Sequence, residues 1–199
     1  MNRINKPSAP RLAVLAAVLA LTACGGAVSS PPLAGADIGG DFALTGSKGQ
    51  IVRWDDFAGK YRVVYFGYAF CPDICPTDMQ RVAQGLKRLE ASDPDKAAKI
   101  ATIFITIDPE RDTPKVVGEF AAAFSPDIIG LTGTPEQIAA TAKAFKVFYA
   151  KGAPVAGGGY LVDHSNIVYL FGPEGEPLAT LPVDQGADAV AAELGKWVN

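Results

Sequence analysis

A chain of 199 residues with 49% hydrophobic and 20% charged side chains carries enough apolar surface to close one core, which excludes disordered and collagen-like classes. Its formal charge is −3, and Arg3, Lys6 and Arg11 stand in residues 1–23 with no acid beside them, so the remainder is more acidic still. A net-acidic domain without basic runs is poorly suited to gripping phosphate backbones; no nucleic-acid partner is expected.

The first element expected is a targeting segment, residues 1–23. The apolar run Leu12 to Leu21 is too short to cross a bilayer, which takes about 20 helical residues, but it suits the apolar part of a signal peptide. The run ends in Leu21-Thr22-Ala23-Cys24-Gly25, which resembles the lipobox of bacterial lipoproteins, where cleavage leaves the cysteine as the lipid-carrying first residue. Lipid chains hold a protein at a surface by about 0.8 kcal/mol per buried CH₂. Assigning Cys24 to lipid leaves Cys71 and Cys75 as a pair, in a compartment where neighbouring thiols form disulfides, bind metal or cycle between such states. Residues 24–40, rich in Gly, Ala, Ser and Pro, read as a flexible stalk.

The domain is expected over residues 41–199. Phe42, Leu44, Ile51, Val52 and Trp54 flank the turn-rich stretch Thr45 to Gly49, the pattern of a β-hairpin. Tyr61 to Tyr68 is a nearly continuous β-branched and aromatic run, as in a strand buried on both faces. From Pro76 onward Met79, Val82, Ala83, Leu86 and Leu89 recur at helical spacing. Ile100 to Ile107 is a second buried strand, and a helix follows from Pro114 with Val116, Val117, Phe120 and Phe124 on one side. Thr134-Pro135-Glu136-Gln137 combines an N-cap, proline at the first helical position and the glutamine of a capping box; that helix runs to about Lys146. Gly152 to Gly159 reads as a mobile loop and Asn166 to Phe171 as a third strand. The turn Pro173-Glu174-Gly175-Glu176 leads to a fourth strand at Leu178 to Leu181, and Gly186 to Val198 closes the chain as a helix. Parallel strands first and an antiparallel hairpin last make an α/β, thioredoxin-like sandwich: a central mixed sheet, an N-terminal β-hairpin and flanking helices.

Chemistry-bearing residues fall at strand ends. Cys71 and Cys75 follow the first buried strand, Asp108 follows the second, and His164 precedes the third. Carboxyl ends of parallel strands share one edge with the start of an antiparallel neighbour, and open α/β sheets place their sites at such an edge. The spacing in Cys71-Pro72-Asp73-Ile74-Cys75-Pro76 is one residue wider than C-x-x-C; it admits a disulfide and also lets both sulfurs face one ion. A helix amino end lowers a thiol's pKa and favours thiolate. A purely structural disulfide is the alternative, weakened by the little entropy that closing so short a loop removes. His164 is the only histidine. Alone it would read as structural; opposite a dithiol it reads as a ligand. Two thiolates and an imidazole form a soft three-coordinate set suited to Cu(I) that can expand around Cu(II), whereas structural zinc usually takes four protein ligands.

The readings of several neighbouring residues stay open. Asp163 is a fourth ligand, an outer partner or a solvated strand-end acid. Asp108 is expected to face the site as a hydrogen-bonding neighbour, while Asp112 and Thr113 are expected to serve as loop and helix N-cap. Tyr68 and Phe70 either exclude water from the ion or pack the core. Gly157-Gly158-Gly159 either lets the His164 loop swing in with metal or is simply a long loop.

Three segments taken together resemble the Sco/SenC family. They are Tyr65-Phe66-Gly67-Tyr68 leading into Cys71-Pro72-Asp73-Ile74-Cys75-Pro76, then Thr106-Ile107-Asp108-Pro109-Glu110-Arg111-Asp112-Thr113-Pro114, and Val162-Asp163-His164-Ser165. The resemblance spans residues 37–198. It implies a thioredoxin fold, copper ligands at Cys71, Cys75 and His164, and a part in building the binuclear copper centre of cytochrome c oxidase. The ligand set agrees with the one reached from topology. Many members are anchored by an N-terminal transmembrane helix, whereas this chain reads as lipidated.

Two functions follow as expectations. The first is a copper chaperone or assembly factor that takes one copper per chain, as Cu(I) or Cu(II), from a copper donor protein. It would pass the metal to the copper-centre subunit of the oxidase or keep that subunit's cysteines reduced. The alternative is a thiol-disulfide oxidoreductase or peroxidase-like redox enzyme cycling a Cys71–Cys75 disulfide. Thioredoxin-like reductants set a proline opposite the dithiol; here that stretch is Asp163-His164-Ser165, which favours binding over turnover. The expected state is a monomer held by its lipid at the periplasmic face of a bacterial cell membrane.

Overall fold

A computed structural model describes residues 1–2, 30–155 and 158–199. The expected signal peptide, Cys24 and the first part of the stalk lie outside those residues. So does Gly157 of the glycine run.

The N-terminal hairpin forms as expected, from β1 (Ala43–Gly46) and β2 (Ile51–Arg53), followed by a 3₁₀ turn at Trp54–Phe57. β3 (Tyr61–Gly67) and β4 (Ile100–Thr106) are the two buried runs, paired in parallel. Between them lie α1 (Ile74–Ser92) and the short α2 (Pro94–Ala97). α3 (Pro114–Ala122) leads into β5 (Ile128–Thr132), a third parallel strand that periodicity did not reveal. Gly130 disguises it, and the structure supplies the reason: a Cβ there would stand 2.4 Å from the Val117 carbonyl oxygen, so glycine lets α3 lie close on the sheet. α4 (Pro135–Ala144) carries the expected capping box, with Thr134 accepting from the Gln137 amide.

Two more strands flank the stretch Gly152 to Gly159 read as a mobile loop, the first of them running into it. Among the described residues, β6 (Tyr149–Pro154) and β7 (Tyr160–His164) pair only with each other, as an antiparallel hairpin separate from the main sheet. β8 (Val168–Phe171), β9 (Pro177–Thr180) and α5 (Ala187–Trp197) complete the chain. The main sheet runs β2-β1-β5-β4-β3-β8-β9, with β8 antiparallel to β3 so that Val168 stands opposite Tyr65. The mixed sheet with flanking helices is the expected thioredoxin-like architecture.

The pleat of β3 and β4 sorts the core. Tyr65 and Phe104, side by side in register, face α1 and α3: the Tyr65 hydroxyl reaches Asp78 of α1, and the Phe104 ring stands 4.8 Å from Phe120 of α3. The opposite face is aromatic. Phe66 meets Phe145 at 5.3 Å, and Phe145 packs edge-on to Trp54 at 5.5 Å and to Phe171 at 5.4 Å. Burying side chains of this size contributes about 1.5–3 kcal/mol each, which holds the sheet rigid behind its carboxyl edge.

Residues 30–40 of the expected stalk are bound to the domain. The Leu33 amide donates to the Leu178 carbonyl at 2.9 Å and Gly39 to that of Ala144 at 3.1 Å, with Leu33 and Ile38 packed on the core. These two apolar side chains dock it together with the backbone bonds and an Asp37–Lys146 ion pair at 2.9 Å. Among the described residues, no helix is long and apolar enough to cross a membrane.

Candidate metal centre

β3 ends at Gly67, and the chain turns at Tyr68–Cys71, where the Cys71 amide donates to the Tyr68 carbonyl at 3.2 Å. α1 starts three residues later, so Cys75 sits in its first turn and Cys71 just ahead of it. An otherwise unpaired amide of that turn is used: Cys75 N–H donates to the Cys71 sulfur at 3.4 Å. Cys75 is buried and Cys71 partly open to solvent; both are free thiols. Gly67 makes room for them, since a Cβ there would stand 3.0 Å from the Cys75 sulfur.

β7 brings the imidazole to this pair. His164 Nε2 lies 3.2 Å from Cys75 Sγ, and the donor atoms of Cys71, Cys75 and His164 all fall within 4.8 Å of one another. His164 Nδ1 donates to the Ser165 carbonyl at 2.9 Å. A carbonyl can only accept, so the proton belongs on Nδ1 and the Nε2 lone pair is turned to the sulfurs, the arrangement that orients a histidine for a metal. The geometry therefore gathers the three residues that sequence reasoning nominated.

Electrostatics at the dithiol differ from the expectation of a thiol acidified by a helix end. Burial pushes the Cys75 thiol up, outweighing the hydrogen bond to it from the Tyr68 backbone. A neutral S–H pointing at the Nε2 lone pair fits that environment. Tyr65 borders the same pocket, its ring centroid 6.3 Å from that of His164, and its hydroxyl donates to Asp78 Oδ2 at 3.3 Å. Burial raises the Asp78 carboxyl, while the Tyr65 hydrogen bond and Arg81, 3.9 Å away, pull it down. Asp78 was not singled out from sequence, although its place three residues after Cys75 on one helix face was the available signal.

The remaining nominated residues divide. Tyr68 is buried and packs edge-on to His164 at 6.0 Å, its hydroxyl accepting from the Val162 amide at 3.2 Å, so it shields the site. Phe70 instead stands 53% exposed. Asp108 is buried, but its hydrogen bonds go to Arg111, to Tyr160 and, through its amide, to Thr106. Asp163 is exposed on β7, pointing away from the cysteines' side of the strand. Thr113 caps α3 as expected, accepting from Val116, whereas Asp112 is a buried strut: its Oδ2 accepts from the Ala69 amide at 2.8 Å and from the Thr106 hydroxyl at 2.7 Å. It ties the cysteine loop to the end of β4.

Comparisons with known proteins place the chain in a family. The sequence profile of the family described as SCO1/SenC matches residues 30–199. SenC of Rhodobacter capsulatus is 37% identical across all of this chain and 93% of its own length. The human mitochondrial SCO1 homolog is 35% identical over 79% of this chain and 52% of the relative. The chain spans about half the length of the mitochondrial relatives it matches. Among solved structures, Bradyrhizobium japonicum ScoI with copper bound superposes with a TM-score of 0.72 at 33% identity, covering 80% of this chain and 99% of that one. Arabidopsis thaliana ScoI with copper bound gives 0.73 at 34% identity, covering 80% and 97%. The chain belongs to the SCO1/SenC family.

Proposed function

We propose that this protein is a copper chaperone that carries one copper ion per chain on Cys71, Cys75 and His164, as cargo for the copper-centre subunit of cytochrome c oxidase. The observation that carries the reading is the convergence of two sulfurs and one oriented imidazole nitrogen within 4.8 Å. This donor set fits a soft ion: Cu(I) accepts three such donors, and Cu(II) adds a further one. A structural zinc would ask for a fourth protein ligand, and Asp163 stands exposed on the other side of β7. The copper-bound ScoI structures of related proteins support the assignment.

The ligands also suit a carrier that must let go. Cys71 is partly exposed while Cys75 is buried, so an incoming thiolate or imidazole can replace the outer sulfur first. A copper donor protein supplies the metal by the reverse exchange. Lipidation at Cys24 would hold the domain, as a monomer, at the periplasmic face of the cell membrane; residues 24–29 then join lipid to a domain that begins near residue 30.

A second reading rests on the free, adjacent thiols. Oxidation of Cys71 and Cys75 to a disulfide yields two electrons and two protons, enough to reduce one disulfide of the oxidase subunit. Copper competition titrations on the reduced protein test the first reading: Cys71→Ser, Cys75→Ser and His164→Ala should each weaken Cu(I) binding sharply, and unchanged binding in all three would refute it. In a strain lacking the protein, oxidase activity restored by added copper supports metal supply. Restoration only by an added thiol reductant supports the redox role.

A further inference from the structure

We propose that Arg111, Asp108 and Tyr160 form a clamp that sets the position of the His164 imidazole over the cysteines, which makes Arg111 and Tyr160 positioning residues for metal binding. The proposal rests on the reading of His164 as a copper ligand. Its starting point is topological. Among the described residues, the β6–β7 hairpin that delivers His164 makes no strand pairing with the main sheet, and an isolated two-stranded hairpin is marginal in water. Where the imidazole stands is therefore decided by what fastens the hairpin to the body.

Much of the fastening gathers at Tyr160, beside a Lys151–Glu110 ion pair at 2.7 Å on the neighbouring strand. The Tyr160 carbonyl accepts from Arg111 at 2.9 Å, and the Tyr160 hydroxyl donates to Asp108 Oδ1 at 2.7 Å. Arg111 Nε closes the triangle on the other oxygen of Asp108. The Arg111 guanidinium also lies 3.7 Å from the centroid of the Tyr160 ring and 5.6 Å from that of Tyr68. Asp108 is only 4% exposed, so these charge-assisted bonds are shielded from water and stronger for it. Strand alternation then carries the constraint along β7. Tyr160, Val162 and His164 face the body while Leu161 and Asp163 are exposed. The clamp at Tyr160, the Val162–Tyr68 bond and the imidazole are thus three successive points on one face. Asp112, next to Arg111, braces the cysteine loop from the same segment, so the loop between β4 and α3 positions both halves of the site.

Two conservative variants of the full-length protein test this. Arg111→Lys keeps the charge but loses the planar fork that reaches Asp108 and the Tyr160 carbonyl together. Tyr160→Phe keeps the ring and removes the hydroxyl. Each is measured for Cu(I) affinity by competition against a chromophoric chelator, alone and combined with His164→Ala, and for amide hydrogen exchange of residues 160–164 in the metal-free state. Loss of a partner that orients a metal-binding histidine typically weakens binding about 10–100-fold, and losses in that range are expected for both variants, with faster exchange along β7. In the His164→Ala background neither change should weaken binding further, because the clamp acts through the imidazole. Wild-type affinity or wild-type exchange in both variants, beside a weakened His164→Ala, overturns the clamp and leaves the ligand assignment standing. Losses that persist in the His164→Ala background also overturn it, since they place the effect in the fold. Wild-type affinity in His164→Ala itself removes the ligand assignment instead.

Discussion

Replacing Asp112 by alanine isolates the strut that holds the cysteine loop. Its Oδ2 accepts from Ala69 N–H at 2.8 Å and from Thr106 Oγ1–H at 2.7 Å, and the side chain is fully buried. Alanine leaves both donors without partners, and each orphan costs about 1–3 kcal/mol, so the sum is about 2–6 kcal/mol out of the 5–15 that typically stabilise a domain. Asparagine separates hydrogen bonding from charge, because its amide oxygen can accept both bonds. Burial holds the Asp112 carboxyl above its ordinary range against the downward pull of those bonds, so the native state binds this proton more tightly than the unfolded chain does. That contribution is fully present below the unfolded carboxylate pKa and is lost as pH rises through the raised native value. The asparagine variant has no such loss, so its stability relative to wild type should climb from about pH 4, near the unfolded pKa, toward neutrality. Urea unfolding of the reduced, metal-free protein followed by circular dichroism measures both effects. An alanine variant within about 1 kcal/mol of wild type, less than one orphaned donor is worth, would refute the strut, and a pH-independent gap for asparagine would refute the buried charge.

Further outcomes concern the sulfurs. Gly67→Ala places a methyl carbon 3.0 Å from both Cys75 Sγ and the Phe104 ring; such overpacking costs about 1–3 kcal/mol, and melting temperature and Cu(I) affinity should fall together. A lowered melting temperature with wild-type affinity would show that the sulfur keeps its place. Because burial raises the Cys75 thiol, copper must displace its proton, and affinity should climb at least about tenfold per pH unit near neutrality. Competition titrations between pH 6 and 8 check this, and a flat profile contradicts it.

The parts of the fold that could be read from sequence are those whose pattern has one cause. β3 and β4 are nearly continuous β-branched and aromatic runs because both faces are buried, and α4 announces itself through Thr134 and Gln137. β5 and β6 stayed hidden because Gly130, Gly152 and Pro154 answer to local backbone demands that resemble loop chemistry. At the site, Cys71, Cys75 and His164 were legible since strand ends and chain order bring them toward one edge. The supporting residues were not. Asp112 carries the signature of a helix cap yet bonds across to Ala69, and nothing local in the sequence pairs Arg111 with Tyr160, 49 residues away. The raised Cys75 thiol is hidden for a related reason: proximity to a helix end is visible in sequence, whereas desolvation, the largest cause of the rise, is a property of the packed structure.

The central claim is that His164 joins both cysteines on one copper ion. X-ray absorption at the copper edge of the reduced, Cu(I)-loaded protein tests it most directly, with the His164→Ala protein measured alongside. Two sulfurs and one imidazole nitrogen around a single copper, with the nitrogen lost in the variant, is the expected result. A sulfur-only shell, identical in the two proteins, would contradict it.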